Sequence, residues 1–183
     1  MEKLQPWMRG PFELIRHAHG HLRDGGDTDR RIALIGFDNA IEVCIDVFIR
    51  LHPKLRGGVD LAGQDVEGAT RNYHTRIEFL DKYLEARALQ LIVPIKSILW
   101  YHQLRNELYH SGNGMVPEAH VVEGAAGAAI AVCQSLFGVE IASQLGASSA
   151  ASQRDTAIPY IPKMTRWSFF VLSSNSSEPY KRR

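Results

Sequence analysis

Ala33-Leu34-Ile35-Gly36-Phe37-Asp38-Asn39-Ala40-Ile41-Glu42-Val43 is the stretch that decides the fold class. Its apolar residues fall at Leu34, Phe37 and Ile41 and continue at Ile45 and Phe48, steps of three and four that keep one face of an α-helix apolar. Asp24-Gly25-Gly26-Asp27 breaks the chain ahead of it, and Asp27 or Thr28 is placed to cap the helix. His52-Pro53 stops it after Leu51.

The same period recurs on both sides. Residues 11 to 24 read as a first helix, with Pro11 in its first turn and Phe12, Ile15 and Leu22 on roughly one side. Lys54 to Thr70 turns to Gly, Asp and Val and reads as a surface loop. Residues 72 to 87 regain the pattern through Ile77, Leu80, Tyr83 and Leu84. Residues 91 to 110 form another helix with Pro94 in its first turn, and Gly112-Asn113-Gly114 end it. Pro117 to Leu145, rich in alanine, reads as a last core helix. The expectation is an all-α antiparallel bundle of four to five helices over residues 1 to 145. Residues 146 to 183 follow as an Ala/Ser-rich linker and an irregular tail, apolar between 157 and 172, with Trp167 to Leu172 the one candidate strand. Such a tail is expected to dock on the bundle or on a partner.

At 183 residues the chain needs no second domain to bury a core. Its net charge of +1 rules against a generally basic nucleic-acid binder, so RNA contact would rest on a local patch. Residues 1 to 145 hold 15 Lys and Arg against 18 Asp and Glu, whereas 146 to 183 hold 6 against 2. Cys44 and Cys133 stand in apolar helical runs without metal-ligand spacing and read as buried thiols of a reducing compartment. The N-terminal residues lack a signal-peptide core, and no run approaches the roughly 18 apolar residues of a membrane span, so a cytoplasmic protein without membrane contact is expected.

The chemistry concentrates in Leu104-Arg105-Asn106-Glu107-Leu108-Tyr109-His110-Ser111-Gly112. Histidine exchanges protons near neutral pH, and arginine presents a permanently charged fork that matches a phosphate. Together they suffice for phosphodiester cleavage without a metal. On a regular helix, however, Arg105 and His110 stand about 140° apart around the axis and about 7.5 Å along it. Asn106 and Tyr109 lie between them, and Trp100, Tyr101, Leu104 and Leu108 form an apolar stripe on the other side. Convergence on one phosphate therefore needs a loosened helix end or a second subunit. Taken alone, Arg105 reads as a surface arginine or an ion pair with Glu107, and His110 as a histidine settled at a helix C-terminus.

Arg105-Asn106-x-x-x-His110 resembles the R-x4-6-H signature of HEPN domains, helical bundles of RNA-targeting toxins and anti-phage defence proteins. Ala33 to Val43 resembles the long helix of their first pair, and Val116-Pro117 with the alanine-rich run resembles their closing segment, so the likeness covers about residues 10 to 145. The resemblance implies a homodimer whose motifs face each other. It implies Arg105 and His110 as catalytic residues, Asn106 as the residue orienting them, and a metal-independent endoribonuclease leaving a 2′,3′-cyclic phosphate, with RNA as substrate and no cofactor. A toxin or defence effector with an antitoxin or complex partner on its tail follows from the same likeness; the alternative is a non-catalytic module that dimerises, scaffolds or binds a nucleotide. The branch neutralised by tyrosine modification carries R-x4-H-x-Y, and here Gly112 occupies the tyrosine position, for which Tyr109 is no equivalent.

Asp38, Glu42, His102 and Tyr109 are candidate supports. Asp38, Glu42 and Asp46 form an i, i+4, i+8 row that reads either as a solvated face or as a source of carboxylates fixing Arg105 or His110. His102, one turn before Arg105, reads as a surface histidine or an RNA contact, and Tyr109 as a supporting aromatic. His17 and His21 have the spacing of two zinc ligands but no third ligand at an obvious spacing, so no metal is expected there. Motifs for nucleoside triphosphate, dinucleotide, zinc-protease and serine-hydrolase chemistry are absent.

Overall fold

The computed structural model describes residues 4–57, 66–110 and 114–145. Among them every regular element is a helix: α1 Arg9–Asp24, α2 Asp27–Arg50, α3 Val66–Thr70, α4 Tyr73–Ala86, α5 Ile95–His110 and α6 Ala119–Phe137, with 3-10 turns at Pro6–Met8, Pro53–Arg56 and Ala142–Leu145. The protein is all-α, as the periodicity requires. Five of the helices answer to the five expected. The extra one, α3, is a short helix inside the segment read as a loop.

α1 and α2 form an antiparallel hairpin because two glycines separate them. Gly25 closes α1 at φ +73°, a left-handed conformation, and donates to the His21 carbonyl at 3.1 Å. Gly26 then occupies the N-cap of α2 with no side chain to accept a hydrogen bond, so the expected capping by Asp27 or Thr28 does not occur. Asp27 and Asp29 lie instead in the first turn of α2, where negative charge suits the helix dipole. Halfway along the hairpin a Cβ on Gly36 would stand 2.8 Å from the Ala18 Cβ, so glycine there is what lets the two helices approach.

The core runs along α2. Leu34, Phe37, Ile41, Ile45 and Phe48 are buried as the period demands, with Ile15 and Ala18 of α1, Leu80 and Tyr83 of α4, Ile98 of α5 and Val132 of α6 around them. Asn72 and Thr75 cap α4 reciprocally, each side chain accepting from the other's backbone N–H at 3.0 and 3.1 Å. α5 starts later than expected: Pro94 lies ahead of it, its carbonyl accepting from Ser97 at 2.9 Å, and residues 91 to 94 are not helical. α6 ends earlier, at Gly138 with φ +67°, so Val139 and Ile141, and Leu145 in the 3-10 turn beyond them, are buried from outside the helix.

α6 also revises the expectation about apolar runs, since by length and composition it could cross a membrane. Half of its apolar window is buried inside the bundle, and α6 packs on α1, α2 and α5. Cys44 on α2 and Cys133 on α6 are unpaired and buried, and the Cys44 thiol is pushed well up by its hydrogen bond to Cys133 and by burial. The expected Gly112-Asn113 stop, the tail from 146 to 183 and the candidate strand at 167 to 172 lie outside the described residues, as do residues 58 to 65 of the expected loop.

Candidate functional site

The polar centre of the bundle is built on Asp38. It is the one buried charged residue among the described residues, its side chain 0% exposed, although it lies in the stretch whose apolar period defines α2. Burying a carboxylate is costly unless partners replace its water. Two come from α5. His102 places Nδ1 3.1 Å from Oδ1 and 3.0 Å from Oδ2, and Arg105 brings Nε to 3.4 Å from the same Oδ2, an ion pair short of hydrogen-bond geometry. His102 and Arg105 stand three residues apart, one helical turn, so both reach a single carboxylate on the facing helix.

α4 supplies the remaining wall. The Tyr73 ring stacks on the His102 imidazole with centroids 3.5 Å apart and planes within 9°. Its buried hydroxyl approaches Asp38 without a hydrogen-bond partner among the described residues. Burial first, and the charge of Asp38 second, raise the phenol far above its ordinary range, so it stays protonated. One turn on, Arg76 reaches Glu42 and Asp46, each at 3.4 Å. Burial alone would lift Asp46, but Arg50 and Arg76 outweigh it and hold its carboxyl below the usual range.

The acidic row on α2 is therefore no solvated face. Asp38 is sealed beneath α4 and α5, while Glu42 and Asp46 are tied to arginines. A carboxylate of this row does reach Arg105, and it is Asp38; no described contact joins Glu42 to Arg105 or His110. His102, read first as a surface histidine, is 17% exposed and paired. Arg105 is paired too, with Asp38. Trp100 leaves the expected apolar stripe, being partly exposed, whereas Tyr101 is buried with its ring against Gly124.

The motif's outer half is open. Arg105 Nη1 donates to the Asn106 side-chain oxygen at 2.9 Å, and the Arg105 carbon Cζ lies 4.9 Å from the centroid of the Tyr109 ring, which is 60% exposed. His110 is the exposed last residue of α5. The structure thus gathers Asp38, His102, Arg105, Asn106 and Tyr109, and leaves Glu42 one turn away and His110 at the rim. Arg31 of α2 donates to the Gly114 carbonyl, tying α2 to the segment that leads into α6.

Tyr73, Arg76 and Arg31 were not singled out by sequence. Tyr73 and Arg76 share one face of α4 at a spacing of three, opposite the acidic row, and that complementarity was the available signal. Nothing local marks Arg31, whose partner lies 83 residues away.

At the hairpin turn His21 Nδ1 meets Asp29 Oδ1 at 2.8 Å, and the His17 ring stands edge-on to His21 at 4.9 Å. Asp24 joins them with one ligand-type atom from each of the three residues within 4.8 Å of the others. His17, the other member of the expected pair, is not part of that group; it meets His21 only ring to ring. No family model, curated protein or solved structure matches the chain significantly.

Proposed function

We propose that the protein is a HEPN-type bundle acting as a metal-independent endoribonuclease, a toxin or defence effector that works as a homodimer in the cytoplasm. The observation that supports this reading is the anchoring of Arg105. A carboxylate sealed in the core pairs with its Nε, Asn106 holds one Nη, and Tyr109 lies under its face, so the guanidinium is fixed at the bundle surface on the helix that ends in the exposed His110. A cation fixed in advance stabilises charge on a phosphate without reorganising.

In this reading Arg105 binds the scissile phosphate, Asn106 orients it, and His110 transfers a proton as the ribose 2′-oxygen displaces the 5′-oxygen to leave a 2′,3′-cyclic phosphate. A well-placed donor of this kind contributes about 3 to 4 kcal/mol to the transition state. The separation of Arg105 and His110 on α5 is met by the second protomer of the dimer, and residues 146 to 183 serve as the segment for an antitoxin or complex partner. The rival is a non-catalytic dimerisation, scaffold or nucleotide-binding module. One observation favours it: Arg105 is already engaged within the protein, in an ion pair with Asp38, a hydrogen bond from Nη1 to Asn106 and a ring contact with Tyr109.

Cleavage of mixed cellular RNA in EDTA separates the two. Arg105→Ala and His110→Ala are each expected to lower the rate at least about 100-fold, with the helical spectrum and the dimer retained. A Mg²⁺ requirement, or activity surviving both substitutions, overturns the ribonuclease reading.

A further inference from the structure

The motif names one histidine, but the histidine beside Arg105 is another. His102 Nδ1 and Arg105 Nε converge on one oxygen of Asp38, at 3.0 and 3.4 Å, so imidazole and guanidinium lie side by side. Arg105 and His110 share no such anchor. We propose that His102 is the proton acceptor for the ribose 2′-hydroxyl and that Asp38 is its positioning residue. The proposal rests on the ribonuclease reading and assigns to His102 one of the two proton transfers that reading requires.

Three features suit His102 to that work. Asp38 accepts from Nδ1–H and thereby leaves the lone pair on Nε2, the tautomer a base needs. Tyr73, stacked at 3.5 Å, fixes the plane of the ring, so the imidazole is held in orientation as well as in tautomer. The side chain still keeps 17% of its surface in solvent, and that of Arg105 keeps 26%. A histidine serving only to join α5 to α2 needs neither that stack nor its place next to the Arg105 guanidinium, and apolar side chains would make the same join with less desolvation.

The step balances with what the protein holds. The 2′-O–H bond breaks and its proton passes to His102 Nε2. The 2′-oxygen forms its bond to phosphorus as the P–O5′ bond breaks, and the departing 5′-oxygen takes a proton from His110. His110 lies about 12 Å farther along α5 than His102, so in the dimer the donor is the His110 of the facing copy. The imidazolium on His102 is neutralised by Asp38 until it releases its proton to solvent.

The test is the pH–rate profile of RNA cleavage by the full chain. His102→Ala should lower the rate at least about 100-fold and abolish the acidic limb, which reports the base, while His110→Ala abolishes the basic limb. Added imidazole should restore cleavage to His102→Ala, and Asp38→Asn should lower the rate while leaving a limb of the same sign. If His102→Ala does not fold, long-range ¹H–¹⁵N spectra of the wild-type protein decide through the protonated nitrogen: Nδ1–H is expected, and Nε2–H overturns the proposal. A wild type that cleaves RNA, with His102→Ala keeping its rate and both limbs, overturns this inference and leaves the ribonuclease reading standing. A wild type that cleaves no RNA overturns both.

Discussion

Two histidine–aspartate pairs of similar length occur among the described residues, 2.8 Å between His21 and Asp29 and 3.0 Å between His102 and Asp38. The first closes a helical hairpin from residues eight apart, and the Asp29 side chain keeps 31% of its surface exposed. The second joins residues 64 apart, and the Asp38 side chain keeps none. The distances match while the surroundings differ. In water an ion pair is screened and exchanges one set of hydrogen bonds for another. In the core each partner is needed to offset the other's lost hydration, and that dependence is what fixes a side chain in one orientation.

The contrast is sharpest when the acid is removed. Asp38→Ala strands the Arg105 guanidinium and is expected to destabilise the bundle by about 3 to 5 kcal/mol, read from urea unfolding followed by circular dichroism. A loss below about 1 kcal/mol would place the two pairs in one class. Next in size is Gly36→Ala, two residues before Asp38. The new methyl meets Ala18 on α1, so overpacking should cost about 1 to 3 kcal/mol and shift the His102 ring resonances through α2. Unchanged stability would mean that the hairpin can part without disturbing the network. Smallest is Asp29→Ala, expected to change stability by about 1 kcal/mol or less and to leave RNA cleavage at the wild-type rate.

The fold was legible because its signal is local and repeated. Leu34, Phe37, Ile41, Ile45 and Phe48 can share a face only on a helix, and Gly25-Gly26 and His52-Pro53 bound that helix by backbone chemistry alone. Boundaries slipped at Pro94, which sits ahead of α5 rather than inside it, and at Gly138, whose left-handed backbone ends α6 before its apolar pattern runs out. The site was legible in part. Arg105, Asn106 and Tyr109 are linked within one helix, and spacing suffices to place them. Asp38 was one choice in an acidic row, and periodicity cannot tell which carboxylate another helix will cover. His102 looked like a surface residue because Tyr73, the ring that covers it, arrives from a separate helix.

The span of the Asp38–His102 contact also bears on how the chain acquires its chemistry. Helical turns form within about a microsecond from neighbouring residues. A contact bridging 64 residues, and the Arg31–Gly114 clasp bridging 83, must wait for distant segments to meet. During synthesis α1 and α2 leave the ribosome ahead of α5, which lies more than forty residues farther along the chain. The emerging chain therefore holds helix long before it holds Arg105 in a fixed direction, and the polar network is among the last features of the fold to be completed.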